Sequence, residues 1–302
     1  MDYKVLDEID SLRRRLYDEL DNVCSFASLF FYVTLLVIII SIVLGIALGL
    51  ATASIIAKHA KPYQFPEEVL KASAPELVNV FTIFIIITSI IGLVLYYILI
   101  KFMRTSINGS RILLDIDKKL REIGKNGLLM RDVEYIYPLT MITSYPGRIL
   151  VLVLLNVPLS ILGIHFLFRG VLLGVETDLA VGCILTFISF VINLAILFMV
   201  YRFFNSLKYY YNVERAGTVA NLFVVSAILS LLGILPVIGN IVKIFGFIIT
   251  IIYLVFLYVM VGDLRRETAR IIARLNNIVD ELRQEVEKSS SQEERDKSSS
   301  IS

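Results

Sequence analysis

From Ser28 to Ala57 the chain carries no Asp, Glu, Lys or Arg side chain. A helix crosses a hydrocarbon core of roughly 30 Å in about 20 residues, so this run is long enough to span a membrane and to tilt or project beyond it. In lipid the backbone must satisfy its own N–H and C=O groups, which a helix does. Five further segments repeat the pattern: Leu77 to Ile100, Ile149 to Phe168, Leu179 to Tyr201, Thr218 to Leu235 and Ile241 to Val261. Pro236 and Gly239-Asn240 give a turn signal between the last two, which therefore read as a tight helical hairpin. The sequence predicts an all-α polytopic membrane protein, a six-helix transmembrane bundle with cytoplasmic amphipathic helices. A soluble globule is excluded, because 57% of the 302 residues are hydrophobic, 19% are charged and the mean hydropathy is +0.78.

Basic residues gather in cytoplasmic loops. With six spans, 24 of the 29 Lys and Arg fall on the side that holds both termini, and Lys58, Lys61, Lys71, Arg169 and Lys243 fall on the other. Both termini are thus expected in the cytoplasm of a cell-membrane protein. The net charge of +2 marks no nucleic-acid binder. Cys24 and Cys183 are too isolated for a disulfide framework and read as packing residues. The charged, amphipathic first 22 residues do not resemble a cleavable signal, so the first span is expected in the mature chain. The Ile-rich, Trp-free composition is of the kind expected of a thermophilic archaeon.

Small residues mark helix contacts in membranes, where apolar side chains gain little by meeting one another. Ser41, Gly45, Gly49, Ala53 and Ala57 recur every four residues and form the clearest such stripe. Weaker ones are Asn156/Ser160/Gly163, Gly182/Thr186/Ser189/Asn193 and Ser226/Ser230/Gly233. Buried ionisable groups would point to function, since charge is costly in lipid. No Asp or Glu lies inside a span, which argues against a proton relay or a carboxylate-coupled transporter. His165 and Lys243 sit near span ends and are expected to snorkel. Asn156 and Asn193 lie nearer mid-span and are expected to hydrogen-bond between helices. Pro158 is expected to kink its helix.

Residues 1–25 form an amphipathic face of Val5, Ile9, Leu12, Leu16, Leu20 and Val23. Residues 263–288 carry a heptad-like seam, Leu264, Thr268, Ile271, Leu275, Ile278 and Leu282, prolonged by Val286. These helices are expected to pair with each other, with a second copy or with a cytoplasmic protein, the narrow tail seam favouring a helix over lipid. The bundle proper is expected over residues 26–262, including a cytoplasmic loop over 101–148. In that loop Asn108-Gly109-Ser110 and Gly124-Lys125-Asn126-Gly127 bracket a predicted short helix whose Ile112, Ile116, Leu120 and Ile123 share a face. Tyr135, Tyr137 and Tyr145 with Pro138 and Pro146 suggest an interfacial segment. Residues 289–302 are polar and expected to be disordered.

GxSxG, HExxH, CxxC and the phosphate-binding GxxxxGK pattern do not occur, and two histidines cannot build a zinc centre without carboxylates. No enzyme activity, cofactor or metal is expected. The stretch Tyr201 to Asn212, followed by Ser230 to Gly239, resembles archaeal multi-pass membrane proteins of a family with no assigned function. The resemblance implies an integral membrane protein and supplies no functional residues. The expected role is a membrane scaffold or interaction subunit. The alternative is a transport component, a permease subunit working with a separate energising partner in the cytoplasm.

Overall fold

The computed structural model describes residues 3–60, 65–129, 133, 138–232 and 239–299. Its helices are α1 (Tyr3–His59), α2 (Pro66–Glu122), α3 (Leu139–Thr143), α4 (Tyr145–Leu173), α5 (Glu176–Tyr210), α6 (Arg215–Leu232) and α7 (Gly239–Ser299), with no strand among the described residues. The chain is an all-α, polytopic membrane protein. Among the described residues five helices, α1, α2, α4, α5 and α7, are long and apolar enough to cross a membrane, one fewer than the six expected. The difference is α6, whose 18 residues rise about 27 Å, just short of the hydrocarbon thickness. The rest of its expected span, with the Pro236 turn, lies outside the described residues.

Three helices run through boundaries that the sequence suggested. In α1, 57 residues carry the amphipathic start directly into the first apolar run. Helix α2 extends to Glu122, so Asn108-Gly109-Ser110 is helix rather than a turn. A helical glycine costs only about 1 kcal/mol relative to alanine, and Gly109 is needed for packing, because a Cβ there would stand 2.6 Å from the Tyr211 hydroxyl. Helix α7 continues to Ser299 through a polar stretch expected to be disordered. Glu, Gln, Lys and Arg are good helix formers, and an existing helix extends without a new nucleus. Helix α4 contains Pro158 and is closed by Gly174 in the left-handed region, φ 70°.

The chain divides into two compact units. A four-span unit comprises Leu29–Lys101 and Ser144–Val200, the apolar parts of α1, α2, α4 and α5. A terminal unit comprises Met1–Ser28, Phe102–Thr143 and Tyr201–Ser302. Within it α6 lies antiparallel to α7: Arg215 pairs with Asp263 at 2.9 Å, Phe223 meets Tyr253, and Ser226 bonds Thr250 at 3.0 Å. Residue numbers on α7 fall as those on α6 rise.

The largest buried side chains of the terminal unit come from α1, α2 and α5. Ile9, Leu16 and Leu20 of α1, Phe102, Met103, Leu113, Ile116 and Leu120 of α2, and Phe203, Phe204, Tyr210 and Tyr211 from α5 and its end are all buried. Leu264, Leu275, Val279, Leu282 and Val286 of α7 join them. Each such side chain contributes about 1.5 to 3 kcal/mol of burial. Asn212, at φ 55°, ends α5 in the left-handed conformation that asparagine tolerates best after glycine.

Candidate functional site

In the four-span unit the polar residues of α4 and α5 form one ladder. Asn156 Nδ2 donates to Asn193 Oδ1 at 2.9 Å, and the Ser160 and Ser189 hydroxyls share a bond of 2.7 Å. One turn further, a Cβ on Gly163 would meet Thr186 Oγ1 at 2.9 Å, and one on Gly170 would meet the Leu179 backbone nitrogen at 2.5 Å. Gly182 faces the Leu167 backbone just as closely. Arg169 and Asp178 pair at 3.2 Å at the end of the seam. The glycines let two backbones touch, and the side-chain amides and hydroxyls bond across the contact, which is how membrane helices associate where apolar burial provides no drive. Asn156 Oδ1 and Thr186 Oγ1 are buried without a hydrogen-bond partner among the described residues.

The other intramembrane candidates fare differently. His165 Nδ1 lies 2.9 Å from Thr82 Oγ1 in a bond between α2 and α4, with Phe81 and Phe168 stacked beside it at 4.4 Å. The half-buried imidazole thus ties α4 to α2. The Lys243 side chain lies outside the described residues. The small-residue stripe of α1 has no partner among the described residues: Ser41, Gly45, Gly49, Ala53 and Ala57 are all exposed, and a Cβ on Gly45 or Gly49 would meet nothing there within 4 Å. At the turn between α1 and α2, Lys58 Nζ bonds Glu76 at 2.8 Å with His59 at 3.3 Å, and these contacts hold the Glu76 carboxyl below its usual range.

In the terminal unit the tail seam packs on the chain's own N-terminal helix. Arg13 Nη1 and Tyr17 Oη bond Asn276 at 3.1 and 2.7 Å, Cys24 Sγ meets Thr268 Oγ1 at 3.3 Å, and Arg265 bonds Ser28 Oγ at 2.8 Å. The Asp10 carboxylate receives Arg13 at 2.5 Å, Arg14 at 3.1 Å and Arg283 at 3.5 Å. Of the expected seam positions, Leu264, Thr268, Leu275 and Leu282 are buried. Val279 is fully buried, whereas Ile271 and Ile278 are half-exposed. A straight helix drifts about 20° per heptad against a strict seven-residue repeat, which carries the contact line from Ile278 onto Val279 and then Val286. On α1, Val5 and Leu12 are likewise half-exposed, and Leu6 is buried instead.

A latch that sequence patterning missed closes the far end of this unit. Asp117, buried, accepts from Arg121 Nε at 2.7 Å and from the Leu129 backbone N–H at 2.8 Å, while Arg121 donates to Leu129 O at 2.8 Å. The turn after α2 is thereby folded back on the helix, with Gly127 where any Cβ would strike the ion pair. Arg274 then donates to Gly127 O at 3.1 Å, and Lys125 pairs with Glu285 at 2.6 Å, so the turn grips α7. The (i, i+4) Asp-Arg spacing preceding Gly-x-x-Gly was the only available signal. Lys119 pairs with Glu8 of α1, which raises the Lys119 pKa.

Two cavities open in the terminal unit. One of about 390 Å³ lies between the 127–129 turn, the end of α5 and Arg270, Ile271 and Arg274 of α7. The other, of about 590 Å³, is a groove between α1 and α7. Among the described residues no cluster of His, Cys, Asp and Glu is placed to hold a metal ion. No known protein family, curated protein or solved structure matches the chain.

Proposed function

We propose that this chain is an integral membrane scaffold whose terminal unit carries, beyond α6 and the apolar part of α7, a pre-formed helical interaction module held at the cytoplasmic face. The supporting observation is that the amphipathic faces of α1 and of α7 beyond its apolar run are buried against each other, and that the Asp117–Arg121 latch ties down the turn after α2. The proposal includes six crossings, since α6 lies alongside the apolar part of α7 in antiparallel register. It also places both termini in the cytoplasm, following the distribution of Lys and Arg.

The test is crosslinking in native membranes followed by purification of the full chain. A scaffold yields a protein partner at fixed stoichiometry, crosslinked to the terminal unit and lost when the exposed Arg14 and Arg15 are both changed to Glu. Recovery of a nucleotide hydrolase whose turnover rises with the reconstituted chain, together with solute flux into proteoliposomes, overturns the scaffold in favour of a permease subunit. The buried, unpartnered Asn156 Oδ1 and Thr186 Oγ1 are the feature that favours this second reading. Asn156→Leu abolishes flux if that seam is a pathway.

A further inference from the structure

The groove between α1 and α7 lies where each helix leaves its apolar run, and its polar groups are ordered by depth. Arg265 lies just beyond the end of the last apolar segment and bonds Ser28 Oγ, at the beginning of the first. Ser25 of α1 and Thr268 of α7 line the groove next to it. Asp21 and Asp18, also in the lining, stand about 10 and 15 Å farther along α1 than Ser28 at 1.5 Å per residue. Tyr17 closes that outer end, its hydroxyl accepting from Asn276 Nδ2. The groove is thus cationic with hydroxyls at its inner end, and anionic with an aromatic ring at its outer end. One turn pair deeper, Tyr258 and Ile251 lie on the Arg265 face of α7 and are 62% and 46% exposed.

We propose that this groove binds the headgroup of a zwitterionic, amine-bearing phospholipid. The phosphodiester of such a lipid lies next to its acyl chains and the ammonium lies farther from the membrane, the same order in which Arg265 and the two aspartates occur. Arg265 uses one of five guanidinium donors on Ser28 and has others to offer a phosphate oxygen, with Ser25 as a hydroxyl donor beside it. Asp21 and Asp18 receive the ammonium, and Tyr17 supplies a ring of the kind against which cations rest. The acyl chain continues along Tyr258 and Ile251. With one arginine against two aspartates the lining is net anionic, so a lipid carrying phosphate alone is disfavoured. The two carboxylates therefore set the headgroup preference, while Arg265 sets binding of either class.

Native mass spectrometry of the full-length protein in detergent, titrated with short-chain phosphatidylethanolamine or phosphatidylglycerol, tests the assignment. The parent chain should retain the amine lipid roughly fivefold more tightly, the size expected of partly exposed ion pairs. Asp18→Asn with Asp21→Asn should erase that preference, and Arg265→Gln should weaken both lipids. Bound amine lipid should also slow alkylation of Cys24, which lines the groove, without affecting Cys183. Equal retention of the two lipids by the parent chain overturns the proposal without any variant. An unchanged preference in the double variant also overturns it. Competition by soluble phosphoethanolamine at the concentration of the lipid overturns the lipid assignment in favour of a free ion.

Discussion

At residue scale, two small positions carry consequences out of proportion to their size. Gly109 lies mid-helix on α2 because the Tyr211 hydroxyl, bonded to Ser106 O at 2.6 Å, occupies the space of its missing Cβ. Gly109→Ala gains about 1 kcal/mol of helix propensity and loses about 1 to 3 kcal/mol to overpacking. The net effect should be a lower melting temperature. Tyr211→Phe should cost about 1 kcal/mol for the lost bond, and the double variant should fall less than the two single effects together, because the clashing oxygen is gone. Thermal unfolding in detergent measures all three. Cys24 offers a chemical readout. Burial pushes its thiol pKa up, and the Thr268 hydroxyl partly offsets the shift. A raised pKa means less thiolate at a given pH, so alkylation of Cys24 should increase only above the ordinary thiol range. Thr268→Val should displace the rate profile to still higher pH, and an unshifted profile would show that the Cys24–Thr268 contact does not persist.

At the scale of elements, the tail seam and the α4/α5 ladder are held by different physics. The tail helix packs outside the apolar spans, where burial drives association, so truncating a core position should be expensive. Leu275→Ala and Val279→Ala should each lower stability, Leu275 by about 2 to 5 kcal/mol, whereas Ile278→Ala should cost markedly less because that side chain is half-exposed. Ranking the three by melting temperature checks the one-residue shift of the seam. Disulfide formation between Cys24 and a cysteine at Thr268, whose side chains meet at 3.3 Å, with Cys183 replaced, reports whether the pairing survives each change. In the α4/α5 seam the governing quantity is backbone approach. Gly182→Leu places a side chain against the Leu167 backbone and should separate the helices, while Asn156→Ala should cost only about 0.6 to 2 kcal/mol, the range of interhelical hydrogen bonds in bilayers. The same purified protein run on a detergent unfolding series distinguishes the two magnitudes.

At whole-molecule scale, the terminal unit gathers three separated stretches of chain, Met1–Ser28, Phe102–Thr143 and Tyr201–Ser302. Helices α1 and α7 touch through Arg13 with Asn276 and Asp10 with Arg283, and the proposed topology puts both termini on one face of the membrane. A cysteine at the exposed Arg14 should resist an impermeant reagent in intact cells and react after permeabilisation. A cysteine at Lys71, on the opposite face by the charge distribution, should react in both conditions. Equal labelling of the two positions in intact cells would sink the six-crossing topology.

The sequence by itself determined that the chain is helical and membrane-spanning, because long runs without charge have one stable backbone solution in lipid. It also showed the amphipathic faces of residues 1–25 and 263–288 and the polar positions Asn156 and Asn193, since these follow helical spacing. Tertiary structure alone decided what covers each face. Ile9 and Leu275 face inward in the same way whether their cover is lipid, a second copy or this chain, and only the fold assigns the pairing to α1 and α7. Gly45 and Gly49 carry the pattern of a packed interface and meet nothing within 4 Å among the described residues, whereas Gly109 reads as a helix breaker and is a contact. Local spacing states which side chains share a face. The neighbour supplied by distant chain determines whether a missing Cβ is a turn, a gap or a point of touch.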